Sequence, residues 1–539
     1  MSTVNPRKLA GFLAIIWAFF AVLLLVPGAL YLNRHEADTL HLLDIVTRMG
    51  MGQAVHSDFQ TPLGTLAFWP MALFQQMGLG AGVAFIAGQL LAGAVMLPLV
   101  IYIGISRLRG WLAYAFGAAV IILCVALVPG GTDAGISVAM HYNRWGWALA
   151  FCAIVLAILP ANGTARPVLD GVLIGVALSA LVLVKATFFV AFALPIAFAL
   201  AVQLRWRTAF AALAVGLVAV LIGLVVGGPA FWLDYAADLL AVSGSQSRPN
   251  AGRPLAALVV SPEFLLGTIL VIGTPLALRQ IDRALEGLMF LLFGIAFVVV
   301  TWQNYGNDPK WLALAGLLLL TWAQNVPAAQ ARAQTGVQVM AVVALATIFP
   351  SFANLAISPM RHLKVDRSQY QPINASTDDV RTVEGRMLRV DARVAYEDIA
   401  TSLAPLMPEE GRKDVIVFQG DALPRCGART GFAALDRVAS AQLREQAGLD
   451  DTARIYVADV LQAIWLEGPF APLKGGAAWN YGTLAGWEDA QYLMVPKCPS
   501  VQLYRAVELE AIEQSGATLS KLIETDLLFL YAVEHGTDG

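Results

Sequence analysis

Residues 9–32 read LAGFLAIIWAFFAVLLLVPGALYL, a charge-free run that follows Arg7 and Lys8. A helix rises about 1.5 Å per residue, and about 20 apolar residues cross a hydrocarbon core of about 30 Å. This stretch is therefore long enough to span a membrane. A cleaved secretory leader is the alternative, but a leader has an apolar region of about 7 to 15 residues closed by a small-x-small site, and no such site ends this run. Further apolar runs fall at 81–105, 111–129, 145–160, 168–184, 186–203, 208–228, 261–278, 285–302, 311–323 and 335–355. Residues 168–203 are too many for one crossing and contain Lys185, whose ammonium is costly in hydrocarbon and belongs at an interface. The spacing predicts two helices meeting there, and eleven spans in all.

Composition agrees. The chain has 539 residues, 58% hydrophobic and only 14% charged, with a mean hydropathy of +0.67, against about 25% charged in soluble proteins. Residues 1–355 hold 17 Lys/Arg and 12 Asp/Glu, whereas 356–539 hold 18 and 26. The expectation is a polytopic α-helical membrane protein of about 11 transmembrane helices over 1–355, with a soluble α/β domain over 356–539. With the N-terminus cytoplasmic, the short inner connections carry Arg107, Arg109, Arg166, Arg205, Arg207, Arg279, Arg283 and Arg332, as the positive-inside rule requires. An odd number of spans then places 356–539 outside the cytoplasm of an inner (plasma) membrane, with membrane lipids as partners. The net charge of −3 and the lack of a basic tract with interleaved aromatics argue against nucleic acid as a partner.

In the second region, DVIVFQ (414–419), ARIYV (453–457) and QYLMV (491–495) read as buried strands and 433–447 as a helix. Residues 519–533 read as an amphipathic helix packed on the domain or the membrane surface. Of four cysteines, Cys124 and Cys152 fall in spans, and Cys426 and Cys498 are expected to form a disulfide in an oxidising compartment. Walker-type glycine loops, nucleophile elbows, dinucleotide fingerprints and Cys/His metal clusters are absent from the sequence.

The loop from Asn33 to Gly80 holds the unusual chemistry: RHEADTLHLLDIVTRMGMGQAVHSDFQTPLGTLAFWP over 34–70. Glu36–Met49 has helical periodicity, with Leu40, Leu43 and Val46 on one stripe, and reads as a helix lying along the membrane surface. Its common meaning is an interfacial helix with a solvated polar face. Asp38, His41, Asp44, His56 and Asp58 nevertheless crowd one short segment, the arrangement in which acid/base chemistry or phosphate handling is expected.

DTLHLLDIVTRMGMG (38–52) followed by HSDFQTPLG (56–64) and an apolar helix resembles the first outer loop of the GT-C superfamily of integral-membrane glycosyltransferases. In that family an Asp, often Asp-Glu, opens a juxtamembrane helix, and a Gly-rich break and a D-F-x-x-P-x-G-like segment follow. The motif covers about 30 residues, and the resemblance extends to many spans, an inner N-terminus and an outer C-terminal domain. It implies transfer of a sugar from a polyprenyl-phosphate donor to a glycan, lipid or protein acceptor, inverting at the anomeric carbon, with Asp38 as catalytic base. Here Thr39 stands where many relatives have Glu, and Glu36 offers a second register, so Asp58 and Glu36 remain alternatives. No organic cofactor is implied, and a divalent metal is left open.

A departing lipid phosphate needs positive charge and hydrogen-bond donors. His56 in the first loop, His141, Asn143 and Arg144 in MHYNRWGW, Lys185, Arg248 in GSQSRPNAGRP, and Asn304 and Asp308 in QNYGNDPK are the substrate-binding candidates. Helix anchoring, headgroup contact and turn chemistry are the plainer explanations for each. A transporter or flippase of lipid-linked sugars is the rival class; it is disfavoured because the spans hold almost no charge and no internal repeat stands out.

Overall fold

The computed structural model describes residues 4–536 apart from 246–253, 255, 257–259, 304–307, 325 and 395–415. Helix α1 (Pro6–Leu25) begins where the Asn5 side chain accepts the N–H groups of Arg7 and Lys8, and Pro6 sits at the first helical position. Such a cap satisfies donors that a helix start otherwise leaves open. Two helices of the first loop follow, α2 (Glu36–Gly50) and α3 (Trp69–Gln76). Next come α4 (Ala81–Arg107), α5 (Trp111–Val125), α6 (His141–Ile158), α7 (Pro167–Val202), α8 (Trp206–Val226) and α9 (Phe231–Ser243), then helices Pro262–Arg279, Ala284–Trp302, Trp311–Trp322 and Ala331–Leu363. Among the described residues, seven helices are long and apolar enough to cross a membrane; Trp111–Val125 and Trp311–Trp322 are apolar but shorter. The chain is a polytopic α-helical membrane protein.

Lys185 breaks α7, with φ −159° and ψ 105° inside an otherwise helical run. A straight helix would separate Asp170 from Arg205 by about 50 Å. Instead the Arg205 guanidinium lies 3.3 Å from the Asp170 carboxylate. The segment is therefore a hairpin with Lys185 at its apex. Asp170 also takes Arg107 at 2.5 Å and the Tyr102 hydroxyl at 2.7 Å, while Arg109 donates to Asn162 at 3.1 Å. The arginines of two short connections, with Asn162 from a third, thus gather at one end of the helices, each paired or bonded. The second half of the hairpin leads into α8, which packs closely on the first half: a Cβ at Gly171 or Gly175 would approach the carbonyls of Thr208 and Ala212 to 2.3 and 2.7 Å. Small residues at this spacing let two helix backbones touch.

The C-terminal region carries a four-stranded sheet ordered β10 (Thr518–Glu524), β11 (Leu528–Glu534), β9 (Tyr492–Pro496), β8 (Ile455–Val457). The strands expected at 453–457 and 491–495 are β8 and β9, and helix Phe432–Ala447 matches its reading. Of the strand read at 414–419, residues 416–419 lie within the described residues, and Val417–Phe418 form β5. Residues 519–533 are not a helix. They form the antiparallel β10–β11 pair, because the turn around Asp526 reverses the chain and LFLYAV suits a buried strand. Cys426 and Cys498 are disulfide-bonded, with Cα atoms 4.7 Å apart.

The two regions are interwoven. Helix Ala331–Leu363 runs through residue 356. Strand β1 (Leu30–Leu32), which follows α1, joins a three-stranded sheet beside β3 (Thr377–Val383), itself paired with β2 (Tyr370–Asn374). The last residues of the first apolar run, just before the first loop, therefore complete a sheet whose other strands come from beyond residue 369.

Candidate active site

Helix α2 does not lie on a surface with a solvated polar face. Glu36, His41, Asp44 and Arg48 are buried along with its apolar stripe, because the polar side docks on the C-terminal region. Both Glu36 oxygens accept backbone N–H groups at the start of helix Phe432–Ala447, from Gly431 at 2.9 Å and Ala433 at 2.8 Å. Burial pushes the Glu36 carboxyl up to about 7. Asp44 pairs with Arg48 at 2.7 Å and accepts the Trp465 indole N–H at 2.6 Å. Arg48 continues to the Leu473 carbonyl at 2.9 Å and stacks over Phe59 and Trp465. His41 faces Trp479 with ring centroids 5.0 Å apart, and burial depresses its pKa to about 3, so the imidazole is neutral at physiological pH.

Among these first-loop carboxylates, Glu36 and Asp44 serve as structural ties. Asp58 closes its own turn, accepting the Ala54 N–H at 2.7 Å. Asp38 stands in the first turn of α2 and keeps partial solvent access, whereas Glu36 is 5% and Asp44 0% exposed.

Around the hairpin apex the structure brings together four of the substrate-binding candidates. Lys185 donates to the Asn143 side chain at 2.9 Å and lies over the Tyr142 ring. His141 bonds the Ala67 carbonyl at 2.7 Å. His56 pairs with Asp238 at 2.7 Å and stacks on Tyr235, whose hydroxyl donates to the Val182 carbonyl at 2.7 Å. Gly64 presses on the same apex, since a Cβ there would meet the Leu183 carbonyl at 2.2 Å. Thr61 donates its N–H to Asp238 at 3.0 Å, so α9 clamps the first loop against the hairpin.

Arg144, next to Asn143 on α6, does a different job. It is fully buried and donates to the carbonyls of Val128 and Ala126 at 2.8 and 2.5 Å and to Gln89 at 3.0 Å. Those carbonyls follow the end of α5 and would otherwise lack partners. Asp308 pairs with Lys310 against Gly130. Arg248 and Asn304 lie outside the described residues.

Sequence reasoning passed over Asp238, the partner of His56, and Gln89, the partner of Arg144. Asp238 carried a signal, being the polar side of an amphipathic stretch; Gln89, one amide in an apolar run, carried none. Backbone strain also marks this region. His35, His56 and Met140 hold left-handed conformations, with φ of 57°, 74° and 58°, each costing on the order of 1 kcal/mol that the surroundings must offset. Two of them immediately precede α2 and α6. No group of three or more metal-type side chains occurs among the described residues.

No protein-family model and no curated protein matches the chain. Solved structures similar to it include ArnT from Cupriavidus metallidurans in the apo state, at 13% identity and a TM-score of 0.36 over 97% of each chain. ArnT of that organism bound to undecaprenyl phosphate aligns at 11% identity and 0.36 over 98% of each chain. The arabinofuranosyltransferase AftD from Mycobacteria aligns at 13% identity and 0.31, over all of this chain and 40% of that one. Identity and superposition at this level leave function to be argued from the residues described above.

Proposed function

We propose that the chain is a membrane glycosyltransferase of the GT-C kind, moving a sugar from a polyprenyl-phosphate donor to an acceptor outside the cytoplasm, with inversion. It sits in an inner membrane with its N-terminus cytoplasmic and its C-terminal α/β domain, taken from about residue 356, outside. Eleven crossings follow if the α7 hairpin counts twice and α5, α6 and Trp311–Trp322 also cross. The observation that carries this reading is the placement of Asp38: a partly exposed carboxylate on a helix wedged between the membrane helices and the C-terminal region. A general base must reach the acceptor hydroxyl while its own position is fixed, and α2 is fixed by Glu36, Asp44 and Arg48.

Lys185 is the cation best placed for the donor phosphate in this scheme. At its break in α7 the ammonium is held by Asn143 and Tyr142, and the proposed topology puts this apex at the outer boundary. As the acceptor oxygen bonds to the anomeric carbon, the bond to the donor oxygen breaks, Asp38 takes the acceptor's proton, and Lys185 balances charge on the departing phosphate. Membranes containing the protein, given a panel of polyprenyl-phosphate-linked sugars, should release free polyprenyl phosphate from one of them and yield a glycosylated product. Release from none, with the protein folded and the panel covering hexoses and pentoses, would overturn the assignment.

A further inference from the structure

A second charged locus lies where β1, β3 and the loop between α5 and α6 converge. Strands β1 and β3 run parallel with Leu32 opposite Thr382, so the residues that follow them, Arg34 on one side and Arg386 on the other, leave the sheet at the same end. Arg34 reaches Asp133 at 2.8 Å, both side chains remaining open to solvent, 37% and 49% exposed. Asn354 donates to the carbonyls of Gly131 and Asp133 at 2.9 and 2.8 Å and is held in turn by Arg361, whose guanidinium donates to the Asn354 carbonyl at 2.8 Å. Arg361 is thereby fixed beside the Asp133 turn. Arg386 is exposed. Its neighbour Glu384 is turned to Gln371, which donates to it at 3.0 Å.

Arg34 thus pairs with Asp133, Arg361 is held beside it, and Arg386 leaves the sheet at the same end, so three guanidiniums share this corner with one paired carboxylate and positive charge is in excess. Two donors there are unused: Nε of Arg34 and Nε of Arg361 are buried with no hydrogen-bond partner among the described residues. A buried donor without a partner costs about 1 to 3 kcal/mol, and more when charged, so this cluster is short of acceptors. Planar guanidiniums match phosphate oxygens in pairs, and a phosphomonoester carries about −1.5 to −2 at neutral pH, which balances the excess.

We propose that Arg34, Arg361 and Arg386 bind a phosphomonoester presented at the outer membrane surface, and that its carrier is the glycosyl acceptor. Only the identity of the carrier rests on the glycosyltransferase reading; the anion site stands on the residues just named. Arg34 is four residues before Asp38, so an acceptor held there by its phosphate reaches toward the base.

The test uses the full chain in phosphatidylcholine nanodiscs, titrated with inorganic phosphate by calorimetry. Wild type should bind phosphate, Arg386→Gln should bind about tenfold more weakly, and Arg34→Gln combined with Arg386→Gln weaker still. Arg386 makes no ion pair with Asp133, so its single variant keeps the test valid if the double variant misfolds. Equal affinity of wild type and Arg386→Gln would overturn the site. Replacing a tenth of the lipid with phosphatidic acid separates the sources: unchanged phosphate affinity supports a phosphate carried by the acceptor, whereas competition assigns the site to a lipid headgroup and overturns the acceptor claim. Asp38→Asn should bind phosphate as wild type does, so loss of transfer and loss of phosphate binding report on the two readings separately.

Discussion

At the scale of single residues, Glu36 separates a carboxylate that builds the protein from one proposed to act in it. The two stand two positions apart on α2, and only the resemblance of the surrounding motif ranks Asp38 first. Glu36 caps a helix almost 400 positions away, a partner no motif reveals, and burial raises its carboxyl from an ordinary value of 4.5 to about 7. A carboxyl whose folded pKa lies above its unfolded value contributes most below the unfolded value and loses that contribution as pH rises through the folded one. For Glu36 the window is therefore about pH 4.5 to 7, and the change is on the order of a few kcal/mol. Glutamine mimics the protonated form. The melting temperature of wild type should fall more steeply between pH 5 and pH 8 than that of Glu36→Gln, as measured by thermal unfolding of the purified protein; parallel slopes would show that Glu36 does not titrate in this window. Lys185 belongs at this scale too. Lys185→Gln should raise the KM for the lipid donor by about tenfold or more with a smaller effect on kcat, since it removes a charge that meets the donor phosphate.

At the scale of elements, the membrane helices were legible and the loops between them only partly so. Apolar length marks a helix because every backbone polar group must be bonded within it in lipid, and the observed α4, α8 and Ala284–Trp302 end within two residues of their expected bounds. Lys185 was readable as a break because an ammonium has no place mid-bilayer. Residues 519–533 misled because an apolar face interrupted by Lys521, Glu524 and Asp526 reads as an amphipathic helix, while the pairing that makes strands of them, β11 against β9, is formed with residues far along the chain. The burial of α2 was likewise invisible, since the partners of Asp44 and Arg48 are Trp465 and Leu473. The hairpin makes a sharp prediction: Arg166→Cys and Arg205→Cys should be labelled by a membrane-impermeant maleimide from the same side, with Lys185→Cys labelled from the other. Labelling of 166 and 205 from opposite sides would mean that α7 crosses as one helix.

At the scale of the whole molecule, the segment from β1 through the first loop is the joint. It lends β1 to one sheet, caps helix Phe432–Ala447 through Glu36, and bonds residues 475 and 476 through Asp58 and Gln60. The composition change near 356 was readable, but not that a strand from the far end of the chain completes the second region's sheet. The Cys426–Cys498 bridge closes a separation of 72 residues, for which the chain-entropy relation gives about 4 kcal/mol. Reduction should lower the melting temperature of the C-terminal region by several degrees while the membrane helices persist, as followed by tryptophan fluorescence with and without reductant.

All of these contacts hold α2 still, and the central claim is what they hold it still for. Asp38→Asn preserves shape and removes basicity, and a general base contributes about 10² to 10⁴ in rate. In reconstituted membranes supplied with the active polyprenyl-phosphate sugar, kcat for transfer should fall by that range while donor KM and thermal stability stay near wild type. Transfer by Asp38→Asn at close to the wild-type rate would contradict the account; if Asp58→Asn or Glu36→Gln then abolished transfer, the base would be misplaced, and if neither did, the glycosyltransferase reading would fall.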